Sequence, residues 1–208
     1  VIKSKFITLE GTEGVGKSTQ CAMLADALEL EFGRDGERTR EPGGTALGEA
    51  IRTILLDPTL PAMDSNAELL LLFAARAEHL ARVIKPALAR GQWVVCDRFT
   101  DASYAYQGGG RALDSANIAA LETLIQQEFR PDLTIVLDLD PTVALHRAVR
   151  RGVPDRFEQE ELAFFTRVRK SYLQRAAADP KRMVVVDAAP DVETVHAAVM
   201  QAVRERLT

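Results

Sequence analysis

Short apolar runs alternate along this chain with longer stretches whose apolar positions recur at helical spacing. The short runs predict strands at Phe6–Glu10, Arg38–Glu41, Trp93–Asp97, Leu133–Leu139 and Met183–Asp187. Val94-Val95-Cys96, Thr134-Ile135-Val136-Leu137 and Val184-Val185-Val186 are apolar on both faces, the pattern of strands covered on both sides. The longer stretches predict helices over Lys17–Phe32, Thr45–Leu56, Ser65–Arg90, Ser115–Phe129, Pro141–Arg150, Gln159–Ala178 and Asp191–Leu207. Strands that alternate with helices build right-handed βαβ units, so the expected class is α/β with a parallel sheet flanked by helices. Ligands of such sheets bind beyond the carboxyl ends of the strands. The loops after the strands are therefore where chemistry is expected.

Composition narrows the picture. The 208 residues, with no repeat, low-complexity tract or Pro/Gly/Ser linker, predict a single domain over 1–208. With 47% hydrophobic and 27% charged residues the chain can bury a sizeable core. Twenty-six basic against 30 acidic residues give a net charge of −4, a poor balance for general nucleic-acid binding. No apolar run approaches the roughly 18 residues of a membrane span. Strand-like residues begin almost at the N-terminus, so no signal peptide is expected and the location read is cytoplasmic. Cys21 and Cys96 lie far apart without metal or redox spacing and are expected as small core residues.

The first strand runs into Gly11-Thr12-Glu13-Gly14-Val15-Gly16-Lys17-Ser18-Thr19, which satisfies G-x-x-x-x-G-K-[ST] between a strand and a helix. Glycines let the backbone wrap closely, so that N–H groups and the helix N-terminus face a polyphosphate. Lys17 would supply a cation to the β and γ oxygens, and Ser18 a hydroxyl to Mg²⁺. The motif points to a nucleoside triphosphate. No N-K-x-D tetrapeptide for guanine is present, and the length favours a small phosphoryl-transfer enzyme over a motor or transporter ATPase.

Other charged loops follow the strands. Arg40-Glu41-Pro42-Gly43-Gly44-Thr45 forms a turn with Thr45 placed to cap the next helix, on which Arg52 lies. Asp97-Arg98 ends the third strand: a carboxylate there can order Mg²⁺ water, and an arginine can grip an acceptor phosphate, while a structural ion pair is the alternative. Ser103, Tyr106 and Gln107 share a helical face at i, i+3 and i+4, and Phe73 and Arg76 face one way on a mostly apolar helix. Arg147, Arg150 and Arg151 fall on one helical face, with Arg156 beyond Gly152 and Pro154. Like charges so spaced suggest a phosphate clamp on a flap over about 147–158, with a solvated basic face as the alternative.

Together these residues resemble the thymidylate kinase family. The resemblance covers nearly the whole chain and rests on Glu10–Thr19, Arg40–Thr45, Asp97–Arg98, Tyr104–Arg111 and Asp155–Glu158, in order. It implies a P-loop NTPase fold with a five-stranded parallel sheet and a short lid, usually paired as a homodimer. It also implies γ-phosphoryl transfer from ATP to dTMP, giving dTDP, with Mg²⁺ as cofactor; the charge balance and the lack of a long apolar run already leave neither nucleic acid nor membrane as an expected partner. Residue by residue, Gly11 to Thr19 would hold the ATP phosphates, and Glu13 would approach the acceptor's 3′-hydroxyl. Glu41 and Arg52 would lie near the acceptor phosphate and Mg²⁺ water, and Arg98 on the dTMP phosphate. Ser18 and Asp97 would serve the metal, in part through water. Arg76, Ser103 and Gln107 would read thymine, Tyr106 would pack at the sugar's C2′, and Glu158 would complete the acceptor site. The P-loop carries Gly14 where one branch of the family has an arginine, which implies a catalytic arginine in the lid, with Arg151 the first choice and Arg147 the second. The family's thymine-stacking Phe commonly lies four residues before the arginine; Leu72 holds that position here, and the expected stacker is Phe73, three before. The runner-up readings are another nucleoside monophosphate or deoxynucleoside kinase and, outside enzymes, a nucleotide-gated assembly module.

Overall fold

The structure, a computed structural model, describes residues 4–33, 36–149 and 155–207. Among them, β1 (Phe6–Glu10), β2 (Gly36–Arg40), β3 (Trp93–Asp97), β4 (Leu133–Asp138) and β5 (Met183–Asp187) form one sheet. Its order is β2-β3-β1-β4-β5, and every neighbouring pair is parallel. The helices are α1 (Lys17–Phe32), α2 (Ala46–Leu56), α3 (Ser65–His79), α4 (Lys85–Ala89), α5 (Thr100–Ser103), α6 (Ser115–Gln126), α7 (Pro141–Val149), α8 (Leu162–Ala178) and α9 (Val192–Leu207). The α/β class and the five parallel strands expected from the sequence are what the chain adopts.

Both faces of the sheet are covered. Ile7, Leu9, Val95 and Ile135 pack against Leu24 and Leu28 of α1 and Val199 and Val203 of α9. On the opposite face Phe6, Val94 and Cys96 meet Leu80, Ile84 and Phe99, while Val136 meets Phe165, Val168 and Tyr172 of α8. Cys21 and Cys96 are free and buried, as expected.

Three readings of the pattern need correction. Met183–Asp187 was expected to be covered on both faces, but β5 is an edge strand with Val185 44% exposed. Ser65–Arg90 is not one regular helix: after His79 the turns widen to π geometry over Leu80–Ile84 before α4 begins. Pro86 lies just beyond and has no N–H to return to Arg82, so the regular ladder cannot pass through it. The face of Ser103, Tyr106 and Gln107 is likewise wide-turned, since π geometry spans Tyr104–Gly110 after α5. Such widened turns recur at functional sites.

The sheet order sets up the site. β1 and β3 lie side by side with Leu9 opposite Asp97, and β2 places Arg40 opposite the same Asp97. The three charged loops read from the sequence therefore leave the sheet at one edge. That edge is where the strand order reverses, the usual ligand crevice of such folds.

Candidate active site

At Gly11 the chain leaves β1 with φ 134°, and a Cβ there would meet the Leu137 carbonyl oxygen at 2.5 Å. Only glycine fits so close to the neighbouring backbone. The loop then closes on Lys17, the first residue of α1, whose Nζ donates to the Thr12 carbonyl at 2.6 Å. Burial, helped by the nearby Arg98 charge, lowers the Lys17 ammonium to about 8. Val15 anchors the loop in the core, whereas Ser18 and Thr19 are exposed. Gly14 has φ 79°, and a Cβ there would lie 1.9 Å from the Ala144 carbonyl oxygen of α7. With α7 in this place the loop has no room for an arginine at that position.

The hydroxyl of Ser18 donates to Asp97 Oδ2 at 2.8 Å, which joins the P-loop to the end of β3. Arg98 follows with φ 69° and folds back over the loop. Its Nη1 donates to the Gly11 carbonyl at 2.6 Å, and its Nη2 donates to Glu13 Oε1 at 2.6 Å and to the Tyr106 hydroxyl at 2.9 Å. Tyr106 in turn donates to Glu13 Oε2 at 2.6 Å, closing a ring of three side chains. Burial pushes the Glu13 carboxyl up, but the charges of Arg98 and Lys17 and the Tyr106 hydrogen bond prevail, so its pKa ends below the ordinary value. Burial also holds the Tyr106 phenol well above its usual pKa. The ring therefore carries one cation and one anion at neutral pH.

A second assembly builds the far end of the cavity. Arg76 lies between the rings of Phe73, 4.5 Å from its guanidinium carbon, and Phe99, at 5.3 Å. Its Nε donates to Glu41 Oε2 at 2.7 Å and its Nη2 to the Phe99 carbonyl at 3.2 Å. The other oxygen of Glu41 meets His79 Nδ1 at 3.0 Å, and His79 Nε2 meets the Thr39 hydroxyl at 2.6 Å. Glu41, expected beside the acceptor phosphate, thus has both oxygens engaged in orienting Arg76 and His79, although it does line the cavity. Arg52 also lines the cavity and is tethered to the Pro42 carbonyl at 3.1 Å.

Ser103, Tyr106 and Gln107 all line the same cavity, as do Glu13, Gly14, Gly16, Lys17, Ser18, Asp97, Arg98 and Glu158. Glu158 Oε2 accepts from the Asp155 backbone N–H at 3.2 Å. The expected stacker Phe73 is not on the lining; it is 2% exposed and packs with Leu69 and Ile118, while Leu72 faces the cavity. The helical period explains the correction. Phe73, three residues before Arg76, reaches the guanidinium itself, and Leu72, four before, shares the cavity side. Arg147 donates to the carbonyls of Ala188 and Ala189 beyond β5, at 3.0 and 3.2 Å, and is not on the lining. A guanidinium at the end of α7 reaches that loop before it reaches the P-loop. Arg150, Arg151, Gly152 and Pro154 lie outside the described residues.

Sequence reasoning missed Glu68, which is fully buried, and His79. A signal was present. Glu68, Leu72, Arg76 and His79 form a stripe at i, i+4, i+8 and i+11 along α3, and three polar residues on one stripe of an apolar helix call for partners. Among the described side chains, Arg76 Nη1, Ser103 Oγ and Gln107 Oε1 are buried atoms without a hydrogen-bond partner, and all three residues line the cavity; Trp93 Nε1 is the fourth such atom.

A glycine-rich loop on a β2-β3-β1-β4-β5 parallel sheet, with its lysine turned back on the Thr12 carbonyl and its serine on the carboxylate that ends the neighbouring strand β3, defines a P-loop nucleotide-binding protein. The family model for thymidylate kinase matches residues 9–199. A thymidylate kinase of Chromohalobacter salexigens is 58% identical over 205 residues, covering 98% of this chain and 96% of that protein. One of Pseudomonas putida is 59% identical over 194 residues, covering 93% of each. The crystal structure of thymidylate kinase from Ehrlichia chaffeensis superposes with a TM-score of 0.80 at 35% identity, covering 97% of this chain and 99% of that one. The chain belongs to the thymidylate kinase family.

Proposed function

We propose that this enzyme transfers the γ-phosphoryl group of ATP to the phosphate of dTMP. A phosphate oxygen of dTMP forms the new P–O bond as the bond from the γ-phosphorus to its bridging oxygen breaks, giving dTDP and ADP. The observation that carries the reading is the trio of unpartnered atoms at Arg76, Ser103 and Gln107 in one cavity with the P-loop. Arg76 Nη1 offers a donor to a ring carbonyl, Gln107 Oε1 an acceptor to a ring N–H, and the Ser103 hydroxyl serves either. Thymine presents that set of partners. Leu72 supplies an apolar wall for the ring.

Gly11 to Thr19 cradle the donor phosphates, and Lys17 brings its charge to the transferring group. Arg98 holds the acceptor phosphate, steered by Glu13 and Tyr106, with Arg52 alongside. Tyr106, pinned by Arg98 and Glu13, closes the space a 2′-hydroxyl would need. Ser18 and Asp97 offer hard oxygen ligands 2.8 Å apart, a pair suited to Mg²⁺, which takes few protein ligands and completes its shell with phosphate and water. Bound there, Mg²⁺ would neutralise charge on the β and γ oxygens. Residues 147–158 act as the lid of a single domain, and Arg151 supplies the cation that Gly14 cannot.

The membership of the thymidylate kinase family supports pairing as a homodimer. Among the described residues no helix is long and apolar enough to cross a membrane. Two free buried cysteines suit the reducing cytoplasm. A coupled assay across dTMP, dUMP, dCMP, AMP and GMP tests the reading: dTMP should give the highest kcat/KM and should require Mg²⁺. Equal or better turnover of AMP or GMP refutes it.

A further inference from the structure

Glu68 has no side-chain surface open to solvent, and no role above uses it. Its Oε1 accepts from Gln107 Nε2 at 2.7 Å, and its Oε2 accepts from Arg156 Nη2 at 2.6 Å. Arg111 approaches each oxygen at 3.4 Å. The two guanidiniums compensate the buried charge, without which a carboxylate here would be strongly unfavourable. Arg156 is held independently by the Leu55 carbonyl, to which its Nε donates at 2.7 Å.

A carboxylate beside two arginines can only accept, so the amide of Gln107 must turn its NH₂ group toward Glu68. The amide oxygen is thereby left at the other end, on the cavity-lining residue, without a partner. We propose that Glu68 is a positioning residue that sets base selectivity: by fixing the Gln107 amide it presents an acceptor, selecting a pyrimidine with N–H at ring position 3 over one with a bare ring nitrogen. The inference rests on the dTMP-kinase reading and adds to it the device that rejects cytosine. A bare ring nitrogen facing the amide oxygen sets two acceptors against each other, and a buried mismatch of that kind is where selectivity arises.

Glu68→Gln reverses the constraint with almost no change of volume. The new amide keeps its oxygen on Arg156, the shortest of its contacts, and so turns its NH₂ toward Gln107. The Gln107 amide then flips and presents NH₂ to the cavity. The expected result is a fall of about 30-fold or more in the ratio of kcat/KM for dTMP over dCMP, with the dCMP value itself rising. Glu68→Asp, still acceptor-only, should keep the ratio even as stability falls. A merely structural Glu68 would lower both substrates in proportion, and that outcome overturns the proposal. Should E68Q not fold, the double variant E68M/R156M removes the buried charge with its partner, frees the amide and carries the same expectation. Gln107→Met separates the two levels of the argument. An unchanged ratio in Q107M overturns base reading by Gln107 and the proposal with it, whereas a ratio that falls in Q107M but not in E68Q overturns the role of Glu68 alone.

Discussion

Arg76 serves two ends that one pair of variants can separate. Its guanidinium neutralises the buried Glu41 carboxylate at 2.7 Å, and its Nη1 is the donor assigned to the thymine carbonyl. Arg76→Met keeps the stacking volume between Phe73 and Phe99 but leaves Glu41, 6% exposed, with His79 as its remaining charged or polar side-chain partner. Stranding one member of a buried pair costs about 3–5 kcal/mol. Against a total stability of about 5–15 kcal/mol that is a large fraction. At about 2–4 °C per kcal/mol for a chain of this size, Tm should fall by roughly 6–20 °C. Adding Glu41→Gln removes the stranded charge while its amide oxygen still accepts from His79, and most of the loss should return. Base recognition should not return: kcat/KM for dTMP should stay down by about 10²-fold or more in both variants, the loss of one buried donor to a ring carbonyl. Differential scanning calorimetry and steady-state kinetics on the single and double variants read the two effects. Recovery of dTMP kinetics together with Tm in R76M/E41Q would refute the assignment of Arg76 to the base.

Lys17→Ala should reduce phosphoryl transfer by about 10³-fold or more while dTMP still binds, measured by single-turnover kinetics and calorimetric titration. Arg151→Ala should lower kcat by about 10²–10⁴-fold with a smaller change in dTMP affinity, whereas Arg147→Ala, removing contacts to the loop after β5, should act mainly on the KM for ATP. Equal, small effects of both would favour a solvated basic face. Burial, with Asp101 adding, pushes the Glu10 carboxyl from 4.5 up to about 8, so the folded chain binds a proton that the unfolded chain releases between those values. Its contribution is fully present below pH 4.5 and is lost as pH rises through about 8, a swing on the order of 5 kcal/mol. Glu10→Gln, which mimics the neutral acid, should flatten that part of the pH–stability curve in urea denaturation; an unchanged slope between pH 5 and 8 would show that Glu10 is charged in the fold.

The P-loop, the alternation of strands and helices and the caps were local properties, and local chemistry determined them. Gly16 has φ 93° with nothing near the place of a Cβ, so the local backbone alone calls for glycine there, and the Thr45 hydroxyl accepts from the Gly48 N–H within a single turn of chain. β1, β3 and the body of α1 are likewise set by runs of apolar residues that need no distant partner to be recognised. What the sequence left open depends on which side chains meet across the sheet edge. Phe73 and Leu72 are adjacent and both apolar, and only the packing of α3 against Phe99 and Ile118 puts the first behind Arg76 and the second in the cavity. Glu41 reads as one more charge in a turn until Arg76 and His79, some 35 and 38 residues further on, take both of its oxygens. Glu68 is the extreme case, because its partners Gln107, Arg111 and Arg156 come from two later segments of the chain, the second 88 residues on. Backbone conformation follows from neighbours in sequence; a buried charge finds its compensation wherever the fold brings an opposite one, and only the tertiary structure says where.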